Sequence, residues 1–203
     1  MRFKNPLDKI LSSKAKIKAL RYLVNYGKGI SAREFSREIG IAPPNILKTL
    51  RGLENENIAV SRRFGRSIVY TLNRNHFLVD KIIFPLFKNE AGAKNELGKK
   101  IIKYIKFPFE SIILFGSIAR GEEEPKSDID IAFIIKDAAN EDKIEREVLD
   151  MNPILSEYFG NSISPIVIRK SDFIRKLKKG NHLFSSIAKE GEVIGGKLIN
   201  DLL

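Results

Sequence analysis

Asp128 and Asp130 stand two apart at the head of an apolar run, Ile131-Ala132-Phe133-Ile134-Ile135. In a strand, residues i and i+2 project from one face, about 6.6 Å apart at a rise of roughly 3.3 Å per residue, so both carboxylates can converge on one ligand. Two like charges at the mouth of an apolar strand add nothing to stability, because each must be desolvated beside the other. A divalent cation removes that objection, and Mg²⁺, or Mn²⁺ in its place, takes carboxylate oxygens together with substrate phosphate oxygens. Upstream, 111–115 reads as a buried strand running into Gly116-Ser117. Glycine lets the backbone approach a ligand closely, and the first amides of a helix starting near Ser117 are unsatisfied donors at the positive end of its dipole. Phosphate suits such a turn. The Ser117 hydroxyl adds a donor, and Arg120, one turn on, can reach a phosphate or brace the loop.

Gly116-Ser117, Arg120-Gly121 and Asp128-x-Asp130, in register with two strands, resemble the signature of the polymerase-beta-type nucleotidyltransferases, in particular the small minimal ones. The resemblance covers 111–135. It implies a nucleoside triphosphate (NTP) held through the Gly-Ser turn, two metal ions held by three carboxylates, and transfer of a nucleoside monophosphate to an acceptor. On that reading Asp128 and Asp130 are the catalytic, metal-holding residues, and Gly116, Ser117 and Arg120 bind the nucleotide. Loss of either aspartate is then expected to abolish activity, since the work is positioning and charge neutralisation. The chain departs from the family pattern in one place. The third carboxylate is expected on a neighbouring strand at 163–168, which reads Ile-Ser-Pro-Ile-Val-Ile and holds no acid. Glu157 and Asp172 flank that strand as stand-ins. A site with two carboxylates can bind nucleotide yet turn it over poorly.

The rest of the composition bounds the reading. A chain of 203 residues that is 43% apolar can bury one large core or two small ones. It has no cysteine and only His76 and His182, which excludes disulfides and thiolate or histidine-cluster metal sites. No run approaches the roughly 18 apolar residues of a membrane helix, and the first ten residues hold no apolar signal core, so the expectation is a cytoplasmic protein without membrane contact. The net charge of +11 is uneven. Residues 1–75 hold 16 Lys+Arg against 5 Asp+Glu, while 76–203 hold 20 of each. Such asymmetry points to two domains, the first facing a polyanion.

Three helices follow from the N-terminal sequence. Ser12 or Ser13 caps a helix over 14–26 that Gly27 closes, Ser31 with Glu34 forms a capping box for one ending at Gly40, and Pro43-Pro44 open a third running to Asn55. The runs 58–63 and 67–72, either side of Phe64-Gly65-Arg66, read as a hairpin. Three helices and a basic hairpin over 7–73 resemble the winged helix-turn-helix domains of prokaryotic transcription regulators. Asn45, Lys48, Arg51 and Asn55 lie on the outward face of the third helix, and Arg62, Arg63 and Arg66 at the wing tip. These residue types read base edges and phosphates, so DNA is the expected partner; a protein-protein module with a solvated basic surface is the alternative.

The fold class expected is α/β (α+β): a winged helix-turn-helix domain at 1–74, connecting helices at 75–107, and a small mixed-sheet nucleotidyltransferase domain at 108–203. In the last, a charged helix over 141–159 breaks near Pro153, and a short strand or turn at 193–196 ends the domain. The function expected is nucleotidyl transfer coupled to a DNA-binding domain. The alternative is a DNA-binding regulator whose nucleotidyltransferase fold senses nucleotide. A protein or RNA acceptor and a homodimer are left open.

Overall fold

The computed structural model describes residues 2–203. The chain divides into two compact units, Met1–Ala93 and Lys94–Leu203. The boundary falls inside the stretch 75–107 read above as connecting helices: its first half belongs to one unit and its second half to the other.

The first unit runs α1 (Leu7–Ile10), α2 (Lys14–Tyr26), β1 (Ile30–Ser31), α3 (Ala32–Ile39), α4 (Pro43–Asn55), β2 (Ala59–Phe64) and β3 (Ser67–Leu72), then a π turn (Val79–Ile83) and α5 (Phe84–Ala91). Local chemistry sets these limits. The Ser13 hydroxyl accepts from the Lys16 amide to start α2, and Ser31 with Glu34 forms the expected capping box on α3. Pro43 and Pro44 occupy the first turn of α4, where the missing amides have no helical partner to lose. Leu20, Leu23, Phe35, Ile46, Leu50, Leu53, Ile58 and Tyr70 share one core, joined by Val79, Ile83 and Phe87. β1, β3 and β2 form an antiparallel sheet in that order, a strand beyond the hairpin read from sequence. The architecture is a winged helix-turn-helix, with α3 and α4 as the helical pair and β2–β3 as the wing.

The π turn has an identifiable cause. Pro85 has no amide to donate to the Lys81 carbonyl and its ring would clash there, so the ladder widens just before it instead of running straight through 77–87. α5 is tied to α2 by Arg21, whose Nε and Nη2 donate to the two Glu90 carboxylate oxygens at 2.6 and 2.7 Å. The Arg21 hydrogen bond holds the Glu90 carboxyl below its ordinary value of 4.5. The pair therefore stabilises the folded chain fully above that value, and loses its effect as pH falls through the depressed folded pKa. Both side chains are nearly half exposed, so Glu90→Gln is expected to cost at most about 1 kcal/mol at pH 7. The matching check is that the Tm difference from wild type narrows as the pH is lowered below 4.5.

The second unit runs α6 (Ala93–Tyr104), β4 (Phe109–Leu114), α7 (Gly116–Arg120), β5 (Ile129–Ile135), α8 (Glu141–Phe159), β6 (Ile163–Arg169), α9 (Lys170–Lys178), α10 (His182–Glu190), β7 (Glu192–Gly196) and α11 (Ile199–Leu202). Its sheet has the order β6-β5-β4-β7, with β5 and β6 parallel and the other pairs antiparallel. Alternation along β5 sends Ile129, Ile131, Phe133 and Ile135 into a core with Leu97, Ile101, Ile144 and Val148. Ala132 and Ile134 enter a second core with Phe173, Phe184 and Ile187 on the opposite face. The sheet is thus a mixed one covered on both sides, as α/β packing requires.

One expectation is corrected here. α8 is continuous through Pro153. Pro153 lies on the solvent side with Leu149, so the Leu149 carbonyl that it leaves unpaired is open to water, and the helix need not break.

Candidate active site

The strand register brings the chemistry together at one end of the sheet of the second unit. β4 ends at Leu114 where β5 begins, because the two are antiparallel, and β6 begins there as well, because it runs parallel to β5. The Phe115 amide continues the ladder by donating to the Asp130 carbonyl at 3.0 Å. The chain then turns at Gly116 with φ +72° into α7.

Gly116 shows how tightly the site is built. A Cβ placed on it would land on the Asp130 carboxylate, against Oδ2 and Cγ, so a side chain is excluded both by the left-handed backbone and by the acid in front of it. Phe115 caps α7 with no side-chain hydrogen bond, which leaves the first amides of the turn without a protein acceptor from a cap. Ser117 is the second residue of that turn and is half-buried.

Asp130 shares its face of β5 with Ala132 and Ile134 and is half-buried; Asp128 lies one residue before the strand and is exposed. The strand was expected to start at Asp128. The segment leading into it is nonetheless fastened: the Asn161 side-chain amide donates to the carbonyls of Pro125 and Ser127 at 3.1 and 2.9 Å, and the Ile129 amide donates to the Ser162 carbonyl at 2.8 Å. Burial first, then the Asp128 charge, pushes the Asp130 carboxyl above the ordinary aspartate range; a hydrogen bond from Ser164 and the Arg120 charge oppose that shift. Neither aspartate forms a salt bridge with a cationic side chain among the described residues. Two carboxylates, one partly desolvated and both without a paired cation, form a donor set that suits Mg²⁺ or Mn²⁺ completed by phosphate oxygens and water.

The neighbouring strand presents a hydroxyl to this end of the sheet. In the parallel pairing of β5 with β6, Asp130 faces Ser164 directly. Ser164 is the residue that the sequence reading passed over in noting only that 163–168 has no acid; the strand register is what singles it out. Neither flanking acid substitutes. Asp172 is bound to Arg175 at 2.6 Å, Glu157 is exposed on α8, and no cluster of three His, Cys, Asp or Glu able to hold a metal exists among the described residues.

Arg120 lies at the end of α7 and is close enough for its charge to act on Asp130. Its Nε donates to Glu122 at 2.7 Å, and Nη1 lies 3.5 Å from Glu190 on α10. The sequence offered no sign of Glu190, which reaches Arg120 only because α10 packs beside α7.

In the first unit, Asn45, Lys48, Arg51 and Asn55 are all exposed along one side of α4, and Arg62, Arg63 and Arg66 are exposed on the wing. None of these five cations pairs with a carboxylate among the described residues. The structure adds Arg33 and Arg37, which line a shallow groove with Leu47, Arg66 and Ser67 between α3, α4 and the wing.

The family described as polymerase beta nucleotidyltransferase matches residues 99–197, inside the second unit. A curated protein of Methanocaldococcus jannaschii, provisionally named a protein adenylyltransferase, is 30% identical over 76 residues, which are 37% of this chain and 76% of that protein. The chain belongs to the polymerase-beta nucleotidyltransferase family. The matched segment carries the Gly116-Ser117 turn, the Asp128–Asp130 pair and Ser164 together. Among solved structures, the transcriptional repressor BigR from Xylella fastidiosa aligns at 25% identity with a TM-score of 0.35, over 41% of this chain and 81% of its own. A structure titled as a toxin-antitoxin with AMP-PNP aligns at 19% identity with a TM-score of 0.38, over 53% of this chain and 77% of that one. Among the described residues, no helix is long and apolar enough to cross a membrane.

Proposed function

We propose that this chain transfers a nucleoside monophosphate from an NTP to an acceptor hydroxyl, and that its winged helix binds DNA. The observation that supports the first part is the close approach of the Gly116 turn, whose helix has no side-chain cap, to the Asp130 carboxylate of an acid pair without a salt-bridge partner among the described residues. Asp128 and Asp130 would hold Mg²⁺ or Mn²⁺, which on binding neutralises the charge of the triphosphate oxygens. Gly116 and Ser117 would present amides and a hydroxyl to the β- and γ-phosphates, and Arg120 would face the same phosphates once drawn from Glu122. Together they fix the α-phosphate for in-line attack, and pyrophosphate departs. The name of the M. jannaschii relative supports ATP as donor and a protein hydroxyl as acceptor.

Labelled ATP tests the bond that breaks. Transfer of nucleoside monophosphate predicts that label at the α-phosphate becomes attached to acceptor in a cell extract with Mg²⁺, while label at the γ-phosphate leaves as pyrophosphate. γ-Label that becomes attached only when the protein is added to the extract would mean phosphoryl transfer and overturn the reading.

A second reading is favoured by the hydroxyl at Ser164. A site with two carboxylates that holds nucleotide without turning it over would make the chain a nucleotide-responsive DNA-binding regulator. Linkage then requires that NTP shift the DNA affinity and that DNA shift the NTP affinity equally, which transfer alone does not require.

A further inference from the structure

The wing tip carries an aromatic side chain that the fold does not use. Arg62 through Ile68 are all exposed, a seven-residue tip that projects beyond the buried base of the hairpin at Ala59 and Tyr70. Phe64 is 62% exposed and Ile68 40%, and neither belongs to the core of the first unit. The register closes the hairpin with the pair Phe64 and Ser67, and Gly65, at φ +58°, starts the two-residue turn. Such a turn needs the glycine; it has no requirement for phenylalanine before it. An exposed benzyl group gives up apolar burial that an ordinary polar turn residue would not forgo.

The surroundings of Phe64 say what it meets. Arg62, Arg63 and Arg66 bracket it without a carboxylate partner among the described residues, and the sequence excess of +11 lies within residues 1–75. Three guanidinium groups without carboxylate partners, in the part of the chain that holds the whole charge excess, favour a polyanion as the partner. A β-ribbon edged with arginines around one apolar ring matches the narrow, strongly negative minor groove, where arginines line the floor and backbone while an apolar side chain enters between base steps.

Resting on the reading that the winged helix binds DNA, we infer that the wing tip enters the minor groove and that Phe64 wedges between adjacent base pairs, bending the duplex. Arg62, Arg63 and Arg66 hold the flanking phosphates and the groove wall. The ring supplies stacking and bending; the arginines supply the salt-dependent part.

These two contributions separate in one experiment on the full chain. A mixed-sequence 30-base-pair duplex carrying a fluorophore at each end reports affinity by anisotropy and bending by energy transfer, in a series of salt concentrations. Wild type is expected to bind with a steep salt dependence and to shorten the end-to-end distance. Phe64→Ala, on an exposed tip, should keep the Tm and the salt slope, lose about tenfold in affinity, and leave the duplex straight. Arg63→Ala should keep the bend and lower the salt slope by about one. If Phe64→Ala binds and bends as wild type does, the wedge is wrong while DNA binding stands. If wild type shows no salt-dependent binding, the underlying DNA reading has failed and the wedge with it.

Discussion

Gly116→Ala should abolish nucleotide binding while the chain still folds. The methyl group would lie on the Asp130 carboxylate, and the residue would have to hold φ near +72°, which alanine adopts only with strain. The Asp130 backbone is held in β5 between β4 and β6, its carbonyl accepting from Phe115, so what yields is the carboxylate or the turn. Either the Gly116-Ser117 turn moves away from the acid or the acid turns away from the turn. In both cases the phosphate donors and the metal-holding carboxylate no longer face one ligand. The expected loss is on the order of 10²-fold or more in transfer, comparable to removal of a preorganised donor from an active site. The second unit has a double core on either face of its sheet, so circular dichroism should show the fold intact, with a Tm lowered by a few degrees. Normal nucleotide affinity in this variant would mean that the ligand does not use the turn.

Ser164→Asp should have the opposite sign. Ser164 faces Asp130 across the parallel β5–β6 pair, and its exposure leaves room for a longer side chain. A carboxylate there makes three acids at one sheet end. Without divalent ion the added charge is repulsive, so the variant should melt below wild type. Mn²⁺ or Mg²⁺ should reverse that deficit through preferential binding to the folded state. Transfer activity should rise by at least about tenfold, the scale on which supporting groups tune a metal site. Tighter Mn²⁺ binding with unchanged transfer would show that acceptor positioning, not the donor count, limits the transfer.

Much of both units was readable from local chemistry. The caps Ser13 and Ser31, with the proline pair at 43–44, set helix limits that the structure repeats, and the apolar run at 131–135 behind the two aspartates marked the strand that carries Asp130. What local chemistry could not supply was lateral order. The pairing of Asp130 with Ser164 spans 34 residues of sequence and follows from strand register, which no single segment encodes. Glu190 reaches Arg120 for the same reason, through the packing of α10 on α7. Pro153 is a further case: propensity alone treats it as a break, but the carbonyl that it leaves unpaired lies on the solvent side and the helix passes through it.

The account turns on whether Asp128 and Asp130 form a nucleotidyl-transfer centre, and the most direct measurement compares wild type with Asp128→Asn plus Asp130→Asn. Both proteins are incubated with each α-labelled NTP, Mg²⁺ and cell extract, and label on macromolecules is separated by size. The asparagines keep shape and remove charge, so folding should persist while labelling falls by roughly 10³-fold or more. Labelling by wild type alone is the predicted result, and the size of the labelled species identifies the acceptor class. Equal labelling by the two proteins would contradict the assignment of the acid pair. NTP binding that needs the aspartates, with no label transferred by wild type, would replace the enzyme with the nucleotide-responsive regulator.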